Sequence, residues 1–406
     1  MILRPYYITE LIGSSDSLYV KILLGVRCCG KSTILDMISD ELKERGISED
    51  NIIVRKYTDF ENSDISAKDL YRDIKAEIKD KGRCYLMLNE AHKIKGWEKV
   101  VKKLRNDDVD IYVTVSNSKP ISSWIYTPDN YFFLPFHVST LSFKEYLTFK
   151  GKDISESKAI FDEYIRYGGF PLIALNSFDT NTAYQIVEGI YASVIMRDIS
   201  KNHNIRNQEL FDRVVKYIIE NIGKTFSANT IVKFLKSEKR ELSVETVYKY
   251  LKWLEEAFII YPCKRYDMQG KAVLKTFEKY YLSDISIIYA LKGYDIRMIS
   301  GILENIIFLE MKRRDFDVYV AKNRDKEIDF IAMRTVTNEN LVKFEEKIYV
   351  QVCVMFPEDS DRKTADLMEI RDNYRKYVVC YDSLATGNYN GIKIVSIADF
   401  LLMEKW

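Results

Sequence analysis

A chain of 406 residues is longer than one ordinary hydrophobic core supports, so two or three domains are expected. With 47% apolar and 30% charged residues and no low-complexity tract, the composition excludes a disordered chain. Lys and Arg (61) nearly balance Asp and Glu (60), and a net charge of +1 excludes global steering towards nucleic acid or an anionic membrane.

Residues 1–7 carry no apolar signal core, and no stretch approaches the roughly 18 uninterrupted apolar residues of a membrane span. A cytoplasmic location without membrane contact is the expectation. Residues 19–135 then alternate short apolar or β-branched runs with helical patterns, as a parallel α/β sheet does. Strands are predicted at 20–24, 52–55, 84–88, 111–115 and 131–134. After the first strand, Ile34, Leu35, Ile38 and Leu42 recur at helical spacing and Gly46 supplies a stop, which makes one βαβ unit.

Between that strand and helix, Gly25, Val26, Arg27, Cys28, Cys29, Gly30, Lys31 and Ser32 match the phosphate-loop pattern G-x-x-x-x-G-K-[ST], followed by Thr33. In such a loop, backbone N–H groups and the helix N-terminus face a polyphosphate. Lys31 then neutralises β- and γ-phosphate oxygens and the Ser32 hydroxyl ligates Mg²⁺.

The run 84–90 has the form of a Walker B strand and ends in Asn89 and Glu90. An aspartate at the first position would hold the Mg²⁺ shell by charge, whereas Asn89 offers a neutral carbonyl oxygen, so a weakened metal site is expected. Glu90 is the candidate base or water-positioning group. Ser116 and Asn117, at the end of the next strand, are candidates for sensing a γ-phosphate.

From Ser142 the pattern changes. Ser142 and Glu145 form a capping-box signature, helical segments dominate to about 256, and Tyr167-Gly-Gly-Phe-Pro171 interrupts them with a tight turn. Residues 208–222, 227–236 and 244–256 read as three short helices, followed by strands at 258–264 and 272–274 around a polar turn at 267–270. Three helices and a hairpin make a winged helix-turn-helix. In its third helix Val244, Val247, Tyr248, Leu251 and Leu254 are assigned to the core, and Thr246, Lys249, Tyr250 and Lys252 to the outer face. Over 206–265, 12 Lys and Arg stand against 8 Asp and Glu, a local excess that suits phosphate contacts with DNA; docking of a protein partner is the alternative.

After residue 283 an α/β pattern returns, with a helix at about 299–314, strands at 318–321, 328–333 and 348–354, a helix at about 363–373 and a strand at 377–381. The expected organisation is a nucleotide-binding domain (1–140), a helical subdomain (141–205), a winged helix-turn-helix (206–283) and a C-terminal α/β domain (284–406). Six cysteines without a C-x-x-C pair read as reduced thiols, and His92, His137 and His203 are too scattered for a zinc site.

With these motifs in place, the chain resembles a bacterial and archaeal family of AAA-type ATP-binding proteins with an uncharacterised C-terminal nuclease-like domain. The likeness spans nearly the whole length. Besides the phosphate loop it is carried by Arg4-Pro-Tyr-Tyr7, Gly96-Trp-Glu-Lys99, Asp110-Ile-Tyr-Val-Thr114, Leu141-Ser-Phe-Lys-Glu-Tyr146, Arg166-Tyr-Gly-Gly-Phe-Pro171, Leu303-Glu-Asn-Ile306, Lys326-Glu-Ile-Asp-Phe330 and Tyr349-Val-Gln-Val352. It implies an AAA+ (ASCE) P-loop NTPase domain with the catalytic strand inserted in the sheet, ATP with Mg²⁺ as ligands, and a restriction-endonuclease-like PD-(D/E)xK fold at the C-terminus.

Three departures touch the chemistry. Asn89-Glu90 stands where the family reads Asp-Glu, residues 119–131 are shortened with Asn130 in place of an arginine, and Cys28 replaces a second arginine. In the nuclease-like domain the matching positions are Glu304, Asp329, Gln351 and Cys353. Cys353 cannot supply the charge of the lysine found there in active enzymes, so a degenerate site without cleavage is expected. Two readings of function stay open: an ATP-driven, DNA-associated protein with slow hydrolysis, or a non-hydrolysing nucleotide-binding scaffold that docks a protein partner.

Overall fold

The computed structural model describes residues 2–57, 65–117, 132–324, 326–337, 341–355, 360–381 and 386–406. The expected shortening at 119–131, with Asn130, lies outside them. Two compact units result: Met1–Thr140 with Met196–Asp198 and Glu256–Phe258, and the rest of the chain from Leu141. Most of the expected helical, winged-helix and C-terminal segments fall together in the second unit.

The first unit opens with α1 (Pro5–Gly13), whose proline stands in the first turn where no N–H partner is required. There follow β1 (Val20–Leu24), α2 (Lys31–Glu44), β2 (Ile52–Lys56), α3 (Ala67–Glu77), β3 (Cys84–Asn89), α4 (Trp97–Leu104), β4 (Val109–Val115) and β5 (Phe133–His137). All strand pairings are parallel, in the order β2-β3-β4-β1-β5. Every residue of β1, β3 and β4 is buried, as expected of a parallel sheet covered on both faces. β4 lies between β1, which feeds the phosphate loop, and β3, which ends at Asn89, so one strand is inserted between the two motifs, the order that the resemblance implied. The last strand is described from Phe133, residue 131 of the prediction lying outside the described residues, and it contains Pro135, which is tolerated at the sheet edge beside β1.

In the second unit, α5 (Phe143–Phe149) is capped as expected: Glu145 N donates to Ser142 Oγ at 3.1 Å and Ser142 N donates to Glu145 Oε2 at 2.9 Å. Between α6 (Ser157–Tyr167) and α7 (Pro171–Leu175), Gly168 has φ +70, and a Cβ there would lie 2.0 Å from Asp284 Oδ1, so only glycine fits the turn. α8 (Thr180–Val194) runs into a π-helical turn at Ile195–Ser200.

The three further helices are α9 (Gln208–Glu220), α10 (Ala228–Ser237) and α11 (Val244–Glu256). The hairpin of β6 (Ile260–Asp267) and β7 (Ala272–Leu282) is longer than predicted. Two assignments on α11 are corrected: Tyr250 is buried and packs edge to face on Phe211 at 5.1 Å, while Tyr248 is exposed. Val247, Tyr250, Leu251 and Leu254 share one face at i, i+3, i+4 and i+7, and position 248 falls outside that stripe.

The chain continues with α12 (Ser286–Lys292), α13 (Ile299–Arg313), β8 (Asp317–Asn323), β9 (Lys326–Thr337), β10 (Lys343–Cys353), α14 (Ser360–Met368), β11 (Arg375–Cys380), β12 (Gly387–Tyr389), β13 (Ile392–Ser396) and α15 (Ile397–Leu402). One mixed sheet takes the order β12-β13-β11-β10-β9-β8-β6-β7. The hairpin is therefore not a free-standing wing: β6 pairs in parallel with β8 and extends the C-terminal sheet. α14 stops five residues short of the predicted 373, ahead of a turn in which Tyr374 N donates to Asp372 Oδ1.

Candidate functional site

The phosphate loop leaves β1 at Gly25, where an added Cβ would lie 2.0 Å from Val138 O; a glycine is needed for the loop to pass so close to the following chain. Cys29 is fully buried and donates from Sγ to Val138 O, and Arg4 ties the loop down through Cys29 O (3.0 Å) and Ser139 O (3.0 Å). Gly30, with φ +106, caps α2, whose first N–H groups have no partner within the helix. Lys31 is 4% exposed, and its Nζ donates to Gly25 O (2.8 Å) and Val26 O (2.9 Å) across the mouth of the loop. Ser32 and Thr33 are exposed.

At the end of β3, Asn89 Oδ1 accepts from Ser32 Oγ (2.9 Å) and Thr114 Oγ1 (2.6 Å). The backbone turns left-handed at Glu90 (φ +59), whose N–H donates to Thr114 Oγ1. Ser116 Oγ donates to Glu90 Oε1 at 2.5 Å, while Glu90 Oε2 is buried without a hydrogen bond and faces Arg27 Nη1 (3.4 Å), Lys93 Nζ (3.8 Å) and His92 Nε2 (3.9 Å). Burial alone would raise the Glu90 pKa, but His92, Lys31, Arg27 and the Ser116 hydrogen bond outweigh it and hold the carboxyl below its ordinary range. Burial pushes the His92 imidazole below its ordinary range, against the pull of Glu90 and Asp198.

Arg27 is the centre of the arrangement. Besides Glu90 it grips Asp198 with two hydrogen bonds, Nε to Oδ2 (3.1 Å) and Nη2 to Oδ1 (2.7 Å), and Asn117 Nδ2 donates to Asp198 O at 2.5 Å. The structure thus gathers Arg27, Lys31, Ser32, Asn89, Glu90, Ser116 and Asn117, all legible in the sequence. It adds Arg4, His92, Lys93, Thr114 and Asp198. Thr114 sits one residue inside its strand end and could have been found from that position; an acid 171 residues from Arg27 gives no sequence signal.

The residues fit a polyphosphate: a glycine cradle, unpaired helix N–H groups and a buried lysine whose donors now rest on loop carbonyls. For a divalent ion, Ser32 and Asn89 supply oxygens but no charge, and Glu90 is the nearby carboxylate.

In the second unit, Glu304 and Asp329 meet at a residue the sequence reading missed. Lys279 Nζ, 3% exposed, lies 3.1 Å from Glu304 Oε2, 3.1 Å from Glu327 Oε1 and 3.9 Å from Asp329 Oδ1, and Tyr281 OH donates to Glu304 Oε2 at 2.9 Å. Gln351 Oε1 accepts from Asp329 N, and Asp329 Oδ2 accepts from Val352 N. Cys353 instead packs in an apolar cluster with Leu367 and lies 2.9 Å, sulfur to sulfur, from Cys380. In the sequence Lys279 is one of three lysines spaced four residues apart, with Lys271 and Lys275, ahead of the run Tyr280-Tyr281-Leu282. Glu304 also lines a cavity of about 460 Å³ with Lys224, Lys292 and Arg297. Among the described residues, no group of three or more His, Cys, Asp or Glu is arranged to hold a metal ion.

Three carboxylates sharing one ammonium hold Lys279 protonated, although burial opposes it. Burial pushes Glu304 up to about 7 from 4.5. A raised folded-state pKa contributes stability that is complete below 4.5 and is lost as pH rises through 7. Glu304→Gln, which does not titrate, is therefore expected to gain stability relative to the parent between pH 5 and pH 8. Urea melts at the two pH values check this; an unchanged difference refutes it.

Residues 18–147 match a family described as an AAA domain, and residues 158–297 match a domain of unknown function (DUF8612). An uncharacterized protein of Haemophilus influenzae is 32% identical over 408 residues, covering 99% of this chain and 99% of its own. One from Methanocaldococcus jannaschii is 26% identical over 394 residues, covering 94% of this chain and 85% of its own. Among solved structures, the Walker-type ATPase of Pyrococcus abyssi has a TM-score of 0.49 at 14% identity, covering 72% of this chain and 96% of that one. No helix among the described residues is long and apolar enough to cross a membrane.

Proposed function

The chain belongs to the same family as the Haemophilus influenzae protein and carries an AAA domain, and from that premise we propose that it binds ATP with Mg²⁺ at residues 25–33 and hydrolyses it slowly. The observation that carries this reading is the convergence of Lys31, Ser32, Asn89 and Glu90 at the carboxyl ends of β1 and β3, where open parallel sheets bind ligands. Lys31 and the loop amides hold phosphate, and Ser32 and Asn89 offer oxygens to the ion. An Mg²⁺ held by Ser32 and Asn89 would supply charge to offset that on the phosphate oxygens. Glu90, ionised and with one oxygen free of hydrogen bonds, accepts the proton of the attacking water. Hydrolysis is slow because Asn89 gives the ion no charge and Arg27 competes for Glu90. Calorimetric titration with ATP and Mg²⁺, followed by a phosphate-release assay, tests this; absence of saturable binding sinks it, and binding without release favours the non-hydrolysing scaffold.

For the second unit we propose a winged-helix-type DNA contact beside a nuclease-like site that does not cut. Support comes from the three helices and hairpin, with Lys249 and Lys252 exposed on α11. Support for inactivity comes from Lys279, whose ammonium stands between Glu304, Glu327 and Asp329, and from the burial of Cys353 in the apolar core. A duplex should be retained at low salt and released at moderate salt, since the contact rests on phosphate neutralisation, and it should stay uncut with Mg²⁺ or Mn²⁺. No retention at low salt favours a protein partner instead; metal-dependent cutting lost in Asp329→Ala contradicts the inactive site.

A further inference from the structure

We propose that Asp198 is a built-in competitor for nucleotide phosphate, so that filling the loop frees residues 196–198 from Arg27. The inference rests on the reading of residues 25–33 as a nucleotide site and adds to it a partner of Arg27 and a route by which occupancy is registered.

Arg27 lies inside the phosphate loop, yet its guanidinium already faces protein carboxylates: Asp198 holds one edge in a two-point grip, and Nη1 lies 3.4 Å from Glu90 Oε2. The Arg27 side chain is 12% exposed and that of Asp198 2%. The pair is thus nearly out of water and is not screened as a surface ion pair would be. Around the loop, Arg4, Arg27, Lys31 and Lys93 bring positive charge, and Glu90 and Asp198 bring negative charge. A polyphosphate adds several negative charges at that point, and a guanidinium in the loop is better placed on it than on two carboxylates. The buried Asp198 carboxylate would then lose its two-point grip on Arg27. Such an arrangement is unfavourable, and the backbone relieves it by moving.

The segment that carries Asp198 is suited to moving. It is the π-helical turn at Ile195–Ser200, a local interruption of the α-helical ladder, which occurs often at functional positions. In the first unit it is held by Arg27 and by the bond from Asn117 Nδ2 to Asp198 O. The chain enters that unit here for only three residues, directly after α8. Displacement of Asp198 therefore acts on the stretch of chain that continues α8, which a change confined to the loop and its own sheet would not reach.

The test uses the full chain and a non-hydrolysable ATP analogue with Mg²⁺. Asp198→Asn removes the competing charge with little change of shape and should bind the analogue about 5- to 10-fold more tightly than the parent, a gain that disappears in an Arg27→Gln background. In the parent, the analogue should speed amide hydrogen exchange at residues 195–200; in Asp198→Asn that exchange should be fast without it. Arg27→Gln leaves Asp198 in place, and its exchange at 195–200 should be fast and indifferent to the analogue, which keeps the proposal testable should Asp198→Asn not fold. Lys31→Ala serves as the control. Unchanged affinity and exchange in Asp198→Asn, beside a control that has lost binding, overturns the competition alone. A control that binds like the parent overturns the nucleotide site and the competition with it.

Discussion

Lys31→Ala is expected to weaken ATP binding by at least about 100-fold, since two or more charge-assisted hydrogen bonds to phosphate, each worth about 1.5–3 kcal/mol, are lost together. The buried Nζ now rests on Gly25 O and Val26 O, so alanine also strips two loop carbonyls of their donor and loosens the cradle itself. Both effects act in one direction. Lys31→Arg should not restore binding, because a branched, planar guanidinium does not fit between two carbonyls 2.8 and 2.9 Å from a single nitrogen. Calorimetry with ATP and Mg²⁺ checks both variants; parent-like affinity in Lys31→Ala would mean that residues 25–33 are not the nucleotide site.

Glu90→Gln is expected to lower phosphate release by about 10²–10⁴-fold, the usual contribution of a positioned general base, while ATP affinity stays within a few fold or rises. The carboxylate that takes the proton is the one that also holds Arg27, so its removal costs chemistry and frees a cation for phosphate. Asn89→Asp should act in the opposite sense. Asp keeps the acceptor used by Ser32 and Thr114 and adds the charge that the ion lacks, so Mg²⁺-dependent release should rise about 10-fold. That gain depends on Glu90. If Asn89→Asp turns over equally fast with and without Glu90→Gln, the assignment of Glu90 as base is wrong.

Much of the first unit was legible because its chemistry is written in short, local patterns. Glycine spacing before Lys31 gives the loop, an apolar run ending in Asn89-Glu90 gives the second strand end, and polar residues 116–117 close the third. The rest depends on contacts that no spacing encodes. Asp198 reads as one more acid in a helical stretch, and only the fold brings it to Arg27. His92 and Lys93 follow Glu90 directly, but whether they turn towards it depends on the left-handed backbone at Glu90. In the second unit, Glu304, Asp329 and Gln351 were found by resemblance, yet Lys279 was missed because one strand was taken to end at 274 when it runs on to Leu282. The α11 tyrosines show a different limit. Tyr248 and Tyr250 are chemically equal, and only the phase of the helix, set by Phe211 and the apolar stripe, decides which is inside.

The division of the chain also bears on synthesis. The five strands of the first unit are complete by His137, but Asp198 emerges 61 residues later, and residues 256–258 of the same unit later still. At about 5–20 residues per second, a nascent chain presents its phosphate loop for roughly 3–12 seconds before Asp198 has been made. During that interval Arg27 has Glu90 but not its second carboxylate. If the loop binds nucleotide as proposed, a nucleotide that arrives in this interval meets a loop without Asp198, a site different from the one in the finished chain.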